Sequence, residues 1–139
     1  MSRSRMIRFA AVAVLAGFLT IFSTSTALAQ QAAPEIKRSV LEKVDLSVPG
    51  REGVLVRVEL APGAKETKHT HPGDLLGYVQ EGSSTLYLEG QPAVHLNAGD
   101  AFFIPAGRVH AAANEGTAPL KMLVTFVVEK GKPITSPVQ

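Results

Sequence analysis

Short apolar segments separated by turn residues run along most of the chain after residue 39. In the clearest of them, residues 53–60, the side chains Val54, Val56 and Val58 recur with a period of two, which is the spacing of a strand that buries one face. Glycine, proline and asparagine interrupt the segments where turns are needed. The pattern predicts strands at residues 40–47, 53–60, 75–80, 84–88, 93–96, 101–104, 109–113 and 120–129.

An all-β fold follows from this pattern, since no long amphipathic helical period is present in the same region. So many short strands in so small a domain have to close on themselves or pack as two sheets, in order to cover a core and to protect their edges. A jelly roll or a small barrel satisfies both needs. The pattern alone does not choose between them.

The first 29 residues have the layout of a secretory signal peptide. Arg3, Arg5 and Arg8 precede an apolar run over residues 9–22, and the small-x-small sequence from Ala27 to Ala29 precedes Gln30. We predict cleavage before Gln30, export to the periplasm or the medium, and no stable membrane anchor afterwards, because the apolar run is shorter than a spanning helix needs. Of the remaining chain, we expect residues 30–38 to form a loose arm, 39–130 the folded domain, and 131–139 a tail that is frayed or lies along a partner.

Removal of the signal peptide changes the charge balance. The chain has 14 Lys+Arg and 12 Asp+Glu, and the predicted signal peptide holds three of the arginines and none of the acids. The mature protein is therefore close to neutral, and we expect no nucleic-acid partner. Cysteine is absent, which excludes disulfides, thiolate metal ligands and a cysteine nucleophile.

Two phrases of the sequence stand out from this background. Residues 63–82 match G-x5-H-x-H-x10-G, and residues 99–114 match G-x5-P-x-G-x2-H-x3-N. Together they resemble the two motifs of the cupin superfamily, and the chain is similar to a small single-domain cupin over about residues 54–128. The resemblance implies a double-stranded β-helix, the cupin jelly-roll barrel, with its site inside the mouth of the barrel.

Three histidines lie within these phrases. His69 and His71 are two positions apart, so on a strand their rings project from the same face. His110 lies on another predicted strand, and a barrel can bring it opposite the pair. We predict that the three bind one divalent transition metal (Fe, Mn, Ni, Cu or Zn), with open positions for water or substrate.

One position departs from the cupin pattern. Cupins usually place a glutamate four residues after the second histidine of the pair, and here that residue is Leu75. Asp74 is an additional candidate ligand, although on a regular strand it points to the opposite face, where a turn-capping role is expected. A site of three neutral imidazoles resembles cupin dioxygenases that hold ferrous iron. With zinc, the same ligands would resemble a site that activates water.

The lining of the pocket follows from the parity of the strands. Counting from His71 places Leu75, Gly77 and Val79 inside, and counting from His110 places Ala112 inside and Arg108 near the mouth. Phe102 or Phe103 is expected to add an aromatic wall.

The leading hypothesis is an exported, metal-binding, dioxygenase-like cupin that acts on a small oxygen-bearing compound. The alternative is a cupin that binds a metal or a small ligand without turnover, and a third reading is a structural barrel with vestigial histidines. We also expect a homodimer, because an exposed first or last strand would be covered by pairing.

Overall fold

The computed structural model describes residues 33–138, and these residues form strands, turns and loops without a helix. The all-β prediction is confirmed. In this part of the chain, no helix has the length and apolar character needed to cross a membrane. The predicted signal peptide, residues 1–29, lies outside the described residues. The strands are β1 (Ile36–Asp45), β2 (Arg51–Leu60), β3 (His69–Thr70), β4 (Asp74–Glu81), β5 (Ser83–Leu88), β6 (Val94–Asn97), β7 (Ala101–Ile104), β8 (His110–Ala113), β9 (Leu120–Glu129) and β10 (Ser136–Pro137).

Two five-stranded antiparallel sheets make up the domain. The strand order is β1-β2-β9-β4-β7 in one sheet and β10-β3-β8-β5-β6 in the other. Strands that follow one another in the chain repeatedly change sheet, so β4 and β7 lie in the first sheet while β3, β5, β6 and β8 lie in the second. This interleaving brings the two histidine-bearing segments of the sequence together in one sheet, because β3 pairs with β8.

Alternation along the strands produces the core. In β9 every second residue is buried, and in β2 Val54, Val56, Val58 and Leu60 are buried while Arg57 is exposed. Side chains of successive residues in a strand point to opposite faces, so the buried set of each strand meets the buried set of its neighbours. The sequence analysis predicted the ranges of β7 and β9 as the structure has them, and most other strands to within two residues.

The first strand differs most from its prediction. β1 begins at Ile36 and pairs with β2 from Ile36 opposite Leu60 to Asp45 opposite Glu52, so three residues of the expected loose arm belong to the sheet. Almost all of β1 is exposed on both faces. A strand that buries neither face has no reason to alternate, so its start leaves no periodic signal in the sequence.

The C-terminal segment, for which the expectation was a tail that is frayed or lies along a partner, pairs with a strand of its own chain. β10 pairs with β3, with Ser136 opposite Thr70 and Pro137 opposite His69. The Val138 amide donates a further hydrogen bond to the Lys68 carbonyl at 3.1 Å. Both strands are two residues long, which is too short for a period of two to show in the sequence. The pairing places the C-terminal segment beside His69, one of the candidate ligands.

Asn114, the last residue of the second phrase, is buried and fastens the end of β8. Its amide nitrogen donates to the carbonyls of Leu60 and Ala118, both at 2.9 Å, and its side-chain oxygen accepts the Gly116 amide at 3.0 Å. These bonds satisfy backbone groups that would otherwise be buried without partners. The spacing of Asn114 from His110 in the second phrase thus has a structural cause, since Asn114 holds the strand that carries the histidine.

Candidate metal centre

Three imidazoles meet inside the barrel. His69 on β3 lies directly opposite His110 on β8 in the antiparallel register, and His71 follows one residue after β3 ends. The ring centroids are 4.3 Å apart for His69 and His110, 4.8 Å for His71 and His110, and 4.9 Å for His69 and His71. All three side chains are buried, and one ring nitrogen of each lies within 4.8 Å of the other two. The barrel therefore brings together the three histidines that the sequence singled out.

Each ring is held by a backbone carbonyl. The Nδ1 atoms of His69, His71 and His110 lie 2.8, 2.7 and 2.9 Å from the carbonyl oxygens of Thr67, Ile134 and Arg108.

A carbonyl oxygen can only accept, so each Nδ1 carries the proton and donates it. The nitrogen left free on each ring is then Nε2, with its lone pair available. Histidines that bind metals commonly donate their other N–H in this way, which fixes the tautomer and the orientation of the ring. The residues present therefore fit a bound transition metal.

Burial favours the neutral form of two of the three rings. It lowers the pKa of His71 from 6.5 to about 4, against the opposing effect of the hydrogen bond to Ile134, and the neighbouring imidazoles lower it further. Burial also lowers the pKa of His110. The charged form is disfavoured because a buried imidazolium loses its hydration, and for His110 this effect exceeds the opposing attraction of the Glu66 carboxylate. Since a metal ion binds the neutral imidazole, a lowered pKa leaves the ligand ready at neutral pH.

The cluster lies at the wall of a cavity of about 180 Å³. Most of the lining is apolar, and the Phe126 ring packs edge-on against His71 at 4.7 Å between centroids. Leu75, Phe102 and Ala112, all expected in the pocket, line this cavity. Leu75 is buried where most cupins have a glutamate, so an apolar side chain occupies the position of the usual fourth ligand.

The other residues expected in the pocket lie elsewhere. Gly77 and Val79 face the interior but do not line the cavity, and a Cβ added at Gly77 would lie 2.1 Å from Cζ of Phe102, so the Phe102 ring occupies that space. Phe103 points outward and is 54% exposed, because it is one residue out of phase with Phe102. Arg108 is turned away, and its guanidinium donates to the Glu89 carbonyl at 3.1 Å.

Asp74 does not join the histidines. Its side chain is exposed, and Oδ1 accepts the Ala106 amide at 3.0 Å, which fastens the turn before β8. The regular strand parity of β4 turns it away from the interior, as the spacing indicated. Within residues 33–138, the grouping of potential ligands that could hold an ion consists of the three histidines alone.

Several residues of the cavity were missed in the sequence analysis, and four of them lie near the histidines or in the terminal segments. Arg38, Glu66, Ile134 and Thr135 line it, and Ile134 also holds His71. Glu66 lies inside the first phrase, three positions before His69, and this proximity to the histidine pair was the available signal. The other three come from the predicted arm and the predicted tail, where no periodic pattern pointed inward.

Comparison with known proteins supports both the fold and the family. A sequence model of the cupin domain matches residues 56–126. Over 78 residues, which are 55% of this chain and 52% of the other, the chain is 36% identical to the tetracenomycin polyketide synthase protein TcmJ of Streptomyces glaucescens. The chain spans about half the length of the curated relatives it matches.

Solved structures give the same architecture. A double-stranded β-helix protein of Klebsiella pneumoniae superposes with a TM-score of 0.61 at 24% identity, over 78% of this chain and 87% of the other. The polyketide cyclase RemF of Streptomyces resistomycificus superposes with a TM-score of 0.60 at 26% identity, over 79% and 76%. The predicted double-stranded β-helix is confirmed.

The lowered pKa of His71 predicts a dependence of stability on pH in the metal-free protein. In the unfolded chain this imidazole takes up a proton near pH 6.5, whereas in the folded chain it does so only near pH 4. Its contribution to the free energy of unfolding is therefore present above pH 6.5 and is lost as the pH falls toward 4, by about 3 kcal/mol. Urea unfolding of metal-free protein at pH 7, 6, 5 and 4 measures this loss.

His71→Gln should flatten that pH dependence, and His95→Gln, on the exposed strand β6, serves as the matched control. An unchanged dependence in His71→Gln would show that another group is responsible.

Proposed function

The chain belongs to the cupin-domain family, and on that premise we propose that it binds one divalent transition metal through His69, His71 and His110. The adjoining cavity then receives a small oxygen-bearing compound, on which the protein acts. The observation that carries this proposal is the orientation of the three rings, each of which donates its Nδ1 proton to a backbone carbonyl and keeps Nε2 free. Because each ring already has a backbone partner, none of the three requires a hydrogen bond to another ring of the cluster.

A divalent ion in this position would supply Lewis-acid chemistry, and ferrous iron would add the ability to activate oxygen. The protein contributes neutral ligands, so the charge of the ion is not compensated by a carboxylate ligand and anionic or chelating oxygen groups are attracted. The apolar walls formed by Leu75, Phe102 and Phe126 exclude water from the bound compound. Oxidative cleavage of a small dicarbonyl or enol compound is the reaction we propose first.

The relatives support the substrate class and leave the reaction open. TcmJ is named as a polyketide synthase protein and RemF as a polyketide cyclase. Compounds of the polyketide class are rich in carbonyl and hydroxyl oxygens, which suit a Lewis-acidic site. A cyclisation needs no oxidant, so a reaction without redox chemistry fits the same geometry.

The second candidate is a cupin that binds its ligand without turnover. The observation in its favour concerns Glu66, the one carboxylate among the cavity-lining residues in the described part of the chain. One of its oxygens accepts the Ala112 amide at 3.1 Å and the other accepts the Arg38 guanidinium. A carboxylate engaged in this way is poorly suited to abstract a proton from a substrate.

We further propose that the protein is exported and acts after removal of residues 1–29. The arginine-led apolar segment and the small residues before Gln30 support this. The mass of the intact protein recovered from the extracytoplasmic fraction should correspond to a chain that begins at Gln30. Recovery of the full-length chain from the cytoplasm would contradict the proposal.

We propose a homodimer that covers the second half of β1, from Val40 to Val44. Val40, Leu41 and Val44 are 62%, 42% and 46% exposed, and within residues 33–138 β1 is an edge strand that pairs with β2. An exposed edge with apolar side chains is a template for pairing. Light scattering at micromolar concentration should give twice the chain mass, and Leu41→Glu with Val44→Lys should shift it toward the monomer. A monomeric wild-type mass would refute the dimer.

The ligand assignment predicts that replacement of His110 and replacement of Asp74 affect metal binding differently. His110→Ala should lower the affinity for zinc or cobalt by more than about 100-fold, since loss of a ligand costs more than the roughly 10- to 100-fold lost with an outer hydrogen-bond partner. Asp74→Ala should retain the metal, because Asp74 fastens a turn outside the cluster. Elemental analysis of untagged, reconstituted protein measures both. Equal loss in the two variants would overturn the three-histidine assignment.

Turnover is tested separately from metal binding. Protein loaded with ferrous iron should consume oxygen with at least one member of a panel of β-diketones, flavonols and thiol acids, and zinc-loaded protein is the matched control without redox chemistry. Oxygen uptake by the iron form alone supports a dioxygenase. No uptake from a protein shown to hold its iron would favour the non-catalytic binder or a non-redox reaction.

A further inference from the structure

An ion pair closes one side of the cavity and has no part in holding the histidines. Arg38, on β1, donates to Oε1 of Glu66, which lies three residues before His69. Oε2 of Glu66 accepts the Ala112 amide at 3.1 Å, so the carboxylate is fastened to β8, two residues beyond His110. Glu66 is thereby fixed in place, and through it the guanidinium is directed to the cavity wall.

The pair lies between the cavity and a groove on the outside of the barrel. Arg38 and Glu66 line both spaces, together with His69 and Thr135, and the outer groove also includes Lys65. The Glu66 side chain is 10% exposed, whereas that of Arg38 is 50% exposed. The carboxylate is thus nearly buried, and the guanidinium remains reachable by a molecule that enters from the groove.

The Arg38 guanidinium has N–H donors beyond the one that contacts Glu66. It carries five N–H donors, and the contact with Glu66 uses one of its nitrogens, Nη2. Because the guanidinium is half exposed, we expect the pair to add little stability, since surface ion pairs typically contribute 0 to about 1 kcal/mol. A pair whose acid is anchored and whose arginine faces a cavity is better explained by ligand recognition, because a guanidinium binds carboxylates with two parallel hydrogen bonds.

We propose that the cavity binds a small carboxylic acid with an apolar body, that Arg38 holds its carboxylate, and that Glu66 positions Arg38. The apolar body suits walls formed by residues such as Leu75, Phe102 and Phe126. The cavity volume of about 180 Å³ corresponds to about six water molecules at roughly 30 Å³ each, which suits an acid of about four to six carbons.

This inference rests on the proposed function only in taking the same cavity as the ligand site. Recognition of the carboxylate by Arg38 does not require a metal and is measurable in the metal-free protein. Failure of the metal assignment and failure of this inference are therefore distinguishable.

The experiment uses two probes of equal shape and different charge, 3-methylbutanoate and 3-methylbutanamide. Chemical-shift titration of the mature protein by NMR at pH 7 gives a dissociation constant for each probe, first without metal and then with zinc. We expect the carboxylate to bind at least tenfold more tightly than the amide in the metal-free protein, because hydrogen bonds to charged groups are the strong ones.

Arg38→Gln should remove this preference and leave binding of the amide within about twofold of wild type. Arg57→Gln, on the exposed face of the neighbouring strand β2, is the matched control and should keep the preference. Glu66→Gln should weaken binding of the carboxylate by a smaller factor than Arg38→Gln, because the guanidinium remains but is less well positioned. Zinc content and thermal stability are measured for each variant, and Arg38→Lys replaces Arg38→Gln if the latter fails to fold.

Three outcomes would overturn the inference. Equal affinities for the two probes in wild type would show that the cavity does not select a carboxylate. A preference that survives Arg38→Gln in metal-free protein would assign recognition to another group. Loss of zinc in Arg38→Gln would show that Arg38 maintains the metal site instead of binding the ligand. If wild type takes up no zinc but keeps an Arg38-dependent preference, the proposed metal function fails and this inference stands.

Discussion

Burial of three imidazoles beside one another is the constraint on which the rest of the structure depends. A buried ring nitrogen that donates a proton needs an acceptor, and the barrel supplies three backbone carbonyls, from Thr67, Arg108 and Ile134. Two of these carbonyls lie two residues before the histidine they hold, and the third comes from the C-terminal segment. The pairing of β10 with β3 is therefore part of the site as well as of the fold.

Because Leu75 stands where most cupins have a glutamate, this centre is less negative than that of most cupins. Leu75 adds to an apolar wall where the carboxylate would lie, so the proposed ligands are three imidazoles, and in the proposed function a negatively charged ligand would come from the bound compound. Arg38 and Glu66 line the same cavity as an ion pair whose two charges offset each other. Their position links the chemistry of the centre to the edge strand β1, which otherwise contributes little to the core.

Predictions from sequence succeeded where burial alternates and failed where it does not. β7 and β9 bury one face, so their ranges could be read directly. β1 is exposed on both faces and β3 and β10 are two residues long, so none of them leaves a period of two. Parity placed Leu75 and Ala112 at the cavity, but it could not say that the Phe102 ring would cover Gly77.

The sequence by itself determined the all-β architecture, the family and the identity of the three histidines, because each of these is encoded in local spacing. The tertiary structure decided which residues surround them. Arg38, Glu66 and Ile134 reach the cavity through pairings between segments far apart in the chain, and Phe103 is excluded from it by a register between β4 and β7. Contacts of this kind depend on sheet closure and leave no periodic trace in the sequence.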